Sequence, residues 1–312
     1  MPSPTLAELF AEHEMWLTVE RGLAANSLAA YKRDLLRYRE FLRERGIADA
    51  RAVGEETVAE YVEYLGRLTV ADDAHLAPAS IARGLVAVRS FHRFCVSEGL
   101  LDRDPSEQVG APRVPQGIPK ALDEPEIAAI LRTVVGDDPR AQRDRAILEV
   151  LYATGVRISE LVGLDLSDID FEDGLARVLG KGDKERVVPM GRAARAELRR
   201  YCGDGRLALR SARVARRDAD AVFLNARGGR LTRQGCWQLV RRAGERAGLG
   251  ERLSPHVFRH SCATHMLDHG ADIRVVQELL GHASVSTTQV YTKVSPERLR
   301  AVYESAHPRA KL

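Results

Sequence analysis

The chain has 312 residues and a mass of 34.5 kDa, with 45% apolar, 29% charged and 5% aromatic residues. That length exceeds one average domain and supplies ample apolar side chains for packed cores, which excludes a mainly disordered chain and favours two domains. The net charge of +3 hides an uneven distribution: residues 1–110 carry 13 basic and 18 acidic side chains (−5), and residues 111–312 carry 34 and 26 (+8).

Four amphipathic helices are expected in the first hundred residues. Residues 5–21 place Leu6, Leu9, Phe10 and Leu17 on one face. Residues 27–45 form a second helix, capped by Asn26 or Ser27 and stopped by Gly46. It turns Leu35, Leu36, Tyr38 and Leu42 inward and leaves Lys32, Arg33, Arg37, Arg39 and Arg43 outside. Helices over 55–68 and 79–96 follow, the last with Arg83, Arg89 and Arg93 on its polar side, completing an all-helical domain over 1–101. Residues 102–120, DRDPSEQVGAPRVPQGIPK, hold four prolines and two glycines and read as an extended linker.

Beyond it, helix and strand mix. Asp123 followed by Glu124-Pro125 starts a helix to about residue 133, and residues 139–153 form another, broken at Thr154-Gly155. Two β-rich runs flank Gly180-Lys181-Gly182-Asp183-Lys184, the pattern of a hairpin with a glycine-rich loop. Residues 203–220 read as a basic, irregular surface excursion. Thr232 opens a helix to Ala247, Ser254-Pro255 another to His269, and Asp272 a third ending at Gly281; a last helix begins near Pro296.

No stretch approaches the ~18 apolar residues of a membrane-spanning helix. The N-terminal MPSPTLAELFAEHE is acidic where a signal peptide is basic and then apolar, so export is not expected. Cys95, Cys202, Cys236 and Cys262 lack CxxC spacing and read as reduced thiols of a cytoplasmic protein. All but six of the 47 basic residues are arginines, whose fork suits phosphate oxygens. Nucleic acid is therefore a candidate partner, with GC-rich codon usage as the plain alternative.

Five of the nine histidines, His256, His260, His265, His269 and His282, fall within residues 256–282. His256 and His260 have the spacing of a metalloprotease helix, but Val257 stands where HExxH needs its glutamate, and no acidic or cysteine set completes a zinc site. The start SPHVFRH instead combines a capping Ser254 with Pro255, and puts His256 and Arg259 one turn apart where free N–H groups attract anions. That fragment also reads as a solvated basic helix. Arg157 follows the break at Gly155 and either enters a cleft or pairs with Glu160. Lys181 is presented on a hairpin loop or is simply a surface lysine. His282 follows the helix-ending Gly281, and Tyr291, nine residues on, is either reactive or buried packing. Together these residues suit phosphoryl transfer without metal: cations to hold the phosphate, a proton donor and an oxygen nucleophile. A tyrosine with its ordinary pKa near 10 needs such cations or a base to act at neutral pH. No Walker motif is present, since GKGDK lacks its spacing and its Ser/Thr.

ATGVRISEL, GKGDKERVVPMG, LSPHVFRHSCATHML, HGADIRVVQELLGHASVSTTQVYTKV and the tail HPRA resemble tyrosine recombinases of the phage integrase family over nearly the whole chain. The likeness is greatest to the Xer branch that resolves chromosome dimers, leaning to its XerD type. The resemblance implies an all-α SAM-like core-binding domain over 1–101, the linker over 102–120, and a mainly α catalytic domain with a small β-sheet over 121–312. It also implies that the C-terminal helix docks onto a neighbouring protomer. By the same resemblance, Tyr291 attacks the scissile phosphate and forms a 3′-phosphotyrosyl bond, Arg157 and Arg259 clamp the non-bridging oxygens, and His256 assists the tyrosine's proton. Lys181 protonates the departing 5′-oxygen and His282 hydrogen-bonds the phosphate. No cofactor and no metal are implied. The implied partners are double-stranded DNA at a dif-like site, a sister recombinase of the XerC kind in a heterotetramer, and an FtsK-type translocase; no membrane is involved. Within the family, a phage- or transposon-type integrase is the alternative, against which the lack of an arm-binding N-terminal domain counts. A DNA-binding relative without catalysis is the other.

Overall fold

A computed structural model of the chain describes residues 5–69, 74–113, 120–180, 184–210, 218–250, 252–281 and 296–310. It divides into two compact units, Met1–Gln116 and Gly117–Leu312.

The first unit is built on four helices: α1 (Leu6–Val19), α2 (Ala25–Glu44), α3 (Glu55–Arg67) and α4 (Pro78–Ser97). Thr5 and Glu8 start α1 with a reciprocal capping box, the Glu8 amide donating to the Thr5 hydroxyl and the Thr5 amide to the Glu8 carboxylate at 2.7 Å. The expected cap of α2 at Asn26 or Ser27 is not used. Ala24 is the N-cap, with no side-chain bond, and its carbonyl takes the amides of Ser27 and Leu28. The helix therefore starts two residues earlier than the polar side chains suggest. The core is aromatic: Phe10 stacks on Phe91 at 4.2 Å, and Tyr38, Phe41 and Tyr61 are fully buried. Leu36, expected inside, is 44% exposed.

Residues 102–113 do not extend away as a linker. Arg89 of α4 donates to the carbonyls of Val109 at 2.6 Å and Ser106 at 3.4 Å, while Val109 joins the helical core. Asp104 turns the chain there by accepting from the Ser106 amide at 2.8 Å. The rest of that stretch, residues 114–119, lies outside the described residues.

The second unit combines helices with a three-stranded antiparallel sheet, order β1 (Ile169–Asp170), β2 (Leu175–Leu179), β3 (Glu185–Pro189). Its helices are α5 (Glu124–Leu131), α6 (Pro139–Thr154), α7 (Ile158–Gly163), α8 (Arg192–Arg200), α9 (Arg206–Leu209), α10 (Arg233–Arg246), α11 (Pro255–Asp268), α12 (Ile273–Leu280) and α13 (Pro296–Ala306). The hairpin expectation holds: Leu179 pairs with Glu185, and the Gly180 amide donates to the Lys184 carbonyl at 2.8 Å. α6 is the central helix, buried from Ala146 to Thr154 on every side.

One expectation is corrected here. The stretch from residue 203 is not irregular surface at its start, because a π-turn (Tyr201–Gly205) and α9 continue α8 inward. Arg206 is buried there with its guanidinium on the carbonyls of Ala219 and Ala221 at 2.7 and 2.8 Å. In this single chain the C-terminal helix, which the resemblance sets against a neighbouring protomer, packs on its own second unit. Leu299, Tyr303 and Ala306 are buried, and the Tyr303 hydroxyl accepts from the Gly191 amide at 2.9 Å. After it, His307 stacks on Tyr303 and Arg309 pairs with the buried Glu149.

Candidate active site

α6 ends at Gly155 in the left-handed conformation, φ +58, and the chain re-enters a helix two residues later at Arg157, the N-cap of α7. From that cap position the Arg157 side chain reaches both Glu160 of α7 and the Gly281 carbonyl. One turn on, Glu160 is buried and receives the Arg157 amide at 2.8 Å and its Nη1 at 2.9 Å. Pairing and exposure coexist, for the Arg157 side chain is still 39% exposed.

Arg259 enters from α11, which Ser254 caps by accepting the Val257 amide. Its guanidinium is buried: Nη1 donates to the Gly155 carbonyl at 2.6 Å and Nη2 to the Leu280 carbonyl. Burial, then the nearby charge of Arg157, brings its pKa down to about 10, so it stays a cation at neutral pH. Two of its five N–H bonds are used in this way, leaving donors for an anion.

Both arginines meet at the end of α12. Arg157 Nη2 reaches the Gly281 carbonyl at 3.4 Å, next to the Leu280 carbonyl held by Arg259. A third arginine, Arg186 of β3, donates its Nε to the Leu279 carbonyl at 2.9 Å and both terminal nitrogens to Glu160 at 2.9 and 2.8 Å. Three consecutive carbonyls at a helix C-terminus, where the helix dipole is negative, thus hold three guanidinium groups. Burial alone would raise the Glu160 carboxyl, but the bonds from Arg186 and the Arg157 amide outweigh it and keep it below the usual carboxylate range. Counting Arg157, Arg186 and Arg259 against Glu160, the cluster carries 3 − 1 = +2.

Of the six residues singled out from sequence, the structure brings Arg157 and Arg259 together and leaves His256 exposed on the first turn of α11. Lys181, His282 and Tyr291 lie outside the described residues. The chain reaches the last two from Gly281, whose φ of +66 ends α12. Arg186 was missed, although its phase along β3 marks it: it alternates with Val187 and shares the inward side of Val188. Glu160 was read only as a competitor for Arg157.

The remaining histidines divide. His265 is buried with its Nδ1 at 2.9 Å from the Tyr152 hydroxyl, whereas His260 is exposed and His269 meets Glu124 at 3.2 Å. Among the described residues, no three His, Cys, Asp or Glu side chains are grouped as metal ligands. Among them, too, no helix is long and apolar enough to cross a membrane.

The sequence model of the phage integrase family matches residues 120–298, and that of the phage integrase N-terminal SAM-like domain matches residues 10–99. The chain is 51% identical over 300 residues to the protein of Mycobacterium tuberculosis named tyrosine recombinase XerD, covering 95% of this chain and 96% of that one. It is 44% identical over 293 residues to the protein of the same name from Halalkalibacterium halodurans, covering 94% and 95%. Two solved structures share the fold. A lambda integrase (75–356) dimer bound to a COC′ core site has a TM-score of 0.67 at 18% identity, covering 94% of this chain and 100% of that one. XerH recombinase bound to palindromic difH substrate has a TM-score of 0.66 at 21% identity, covering 94% and 80%.

Proposed function

The chain belongs to the phage integrase family, and from that premise we propose that it is a site-specific tyrosine recombinase that cuts and rejoins double-stranded DNA. The observation that supports this most is the meeting of Arg157 and Arg259 on the carbonyls of Gly281 and Leu280, at the helix end that leads into His282 and, nine residues on, Tyr291. Two preorganised cations suit a phosphate that gains charge as it becomes five-coordinate.

In this reading the Tyr291 oxygen attacks the scissile phosphorus and the bond to the 5′-oxygen breaks. His256 takes the tyrosine's proton and Lys181 supplies one to the departing 5′-oxygen. Arg157 and Arg259 hold the non-bridging oxygens with His282. The product is a 3′-phosphotyrosyl bond and a free 5′-hydroxyl. Attack by the 5′-hydroxyl of a partner strand reverses each step, so the phosphodiester energy is kept and no ATP is consumed. The helical unit, with Arg39 and Arg83 exposed, contributes phosphate contacts to the same duplex.

The kinship to proteins named XerD supports a more specific role: resolution of chromosome dimers at a dif-like site, in a heterotetramer with a sister recombinase and under an FtsK-type translocase, in the cytoplasm. The test is a denaturing gel of protein incubated, with chelator, on a nicked duplex carrying the dimer-resolution site of its host. Wild type forms a covalent adduct and Tyr291→Phe does not. An adduct that persists in Tyr291→Phe removes the nucleophile assignment, and none from wild type, alone or with its sister recombinase, removes the recombinase reading.

A further inference from the structure

Arg186 stands outside the six residues discussed above, yet its side chain makes three hydrogen bonds where Arg157 and Arg259 each make two. Its side chain, 15% exposed, forms a fork-to-fork pair with Glu160 at 2.9 and 2.8 Å and reaches the Leu279 carbonyl with Nε at 2.9 Å. Its guanidinium fills the space that the missing side chain of Gly281 leaves: a Cβ on that glycine would lie 3.1–3.2 Å from Nη1, Cζ and Nε. One side chain on the strand after the hairpin loop thereby joins β3, the first turn of α7 and the end of α12.

Glu160 is a buried carboxylate with two arginines on it. A buried carboxylate demands a cation. With Arg186 satisfying both oxygens, Arg157 gives Glu160 only its amide and Nη1, its Nη2 reaches the Gly281 carbonyl, and its side chain stays 39% exposed. Without Arg186, Glu160 would claim Arg157 as its sole counter-ion and the cluster's charge would fall from +2 to +1. We propose that Arg186 is a positioning residue of the strand-transfer reaction: it neutralises Glu160 and braces the end of α12, so that Arg157 remains free to clamp the scissile phosphate. This rests on the recombinase reading of the preceding subsection.

The test compares wild type with Arg186→Gln, Arg186→Lys, Glu160→Gln and the double variant Arg186→Gln/Glu160→Gln on the nicked duplex carrying the host dimer-resolution site. Single-turnover adduct formation, equilibrium DNA binding and thermal midpoint are measured for each. Arg186→Gln is expected to slow adduct formation about a hundredfold while binding stays within about twofold, as for loss of a transition-state cation. Arg186→Lys keeps the charge without the fork and loses about tenfold. In the double variant no buried carboxylate competes for Arg157, so the rate recovers about tenfold over Arg186→Gln alone, a non-additivity that general loosening of the fold would not produce. Additive losses, or a loss of binding in step with the rate, overturn the proposal. Absence of adduct from wild type instead overturns the recombinase reading itself.

Discussion

Arg259 is bonded through Nη1 to the carbonyl of Gly155, 2.6 Å away, so this buried arginine of α11 is held by the residue that stops α6. Gly155 is in the left-handed region, and a Cβ there would lie 2.6 Å from Leu280 Cδ2 and 3.3 Å from Cys262 Sγ. Gly155→Ala therefore adds backbone strain and overpacking, together about 2–4 kcal/mol. It also displaces the carbonyl that holds Arg259. A fall in the urea midpoint accompanied by loss of adduct formation is expected; an unchanged midpoint would contradict the packing.

Acid should weaken the fold before it titrates ion-paired carboxylates. His13 and His92 are buried in the helical unit, each with one ring nitrogen bonded (to Ser90 and Tyr38), and burial lowers both to about 4; His307 in the second unit falls to about 3. In the unfolded chain each takes up its proton near pH 6.5. The folded state binds it only far lower. Stability is thus fully present above about pH 6.5 and lost as pH falls towards 4, by at most about 3 kcal/mol per histidine. Urea melts between pH 7.5 and 5 should show the midpoint falling. A flat profile would mean these rings are solvated.

The C-terminal helix makes a sharper prediction now that it is seen at home. Deleting residues 296–312 uncovers the core around Tyr152 and Glu149, so the thermal midpoint falls and the second unit loses cooperative unfolding. Tyr303→Phe leaves the buried Gly191 amide without its acceptor and costs about 1–3 kcal/mol. A truncated chain as stable as the full one would place the helix elsewhere in solution.

Asp34 is the helical unit's counterpart of Glu160, a buried carboxylate holding Arg83 at 2.9 and 3.3 Å and Arg37 at 3.4 Å. If Arg83 meets a DNA phosphate, Arg83→Ala weakens binding and lowers the slope of log affinity against log salt by about one. An unchanged slope shows that Arg83 serves only the fold.

Helix starts were legible wherever a side chain caps them: Thr5 with Glu8, Asp123 with Glu126, and Ser254. Where the backbone alone starts the helix, as at Ala24, polar neighbours misled. α8 escaped because RAARAELRR buries only Ala194 and Leu198, too thin a stripe to stand out among arginines. At the site, Arg157 and Arg259 were legible from their local breaks and caps. Their acceptors were not, since Gly155, Leu280 and Gly281 contribute backbone carbonyls that no residue type announces. Glu160 shows the subtler case. The ion pair with Glu160 and an accessible Arg157 guanidinium, set against each other in the sequence, occur together in the same geometry.

The end of α12 is gripped by its backbone, and a point mutation cannot delete a carbonyl. Side chains at 279 and 280 are therefore free to drift within their core constraints without disarming the arginines. Length is the vulnerable variable. One residue inserted into α12 turns its end by about 100° and advances it by about 1.5 Å, presenting every guanidinium with the wrong oxygen at once. Natural variation along this helix should consequently tolerate many replacements and very few insertions or deletions.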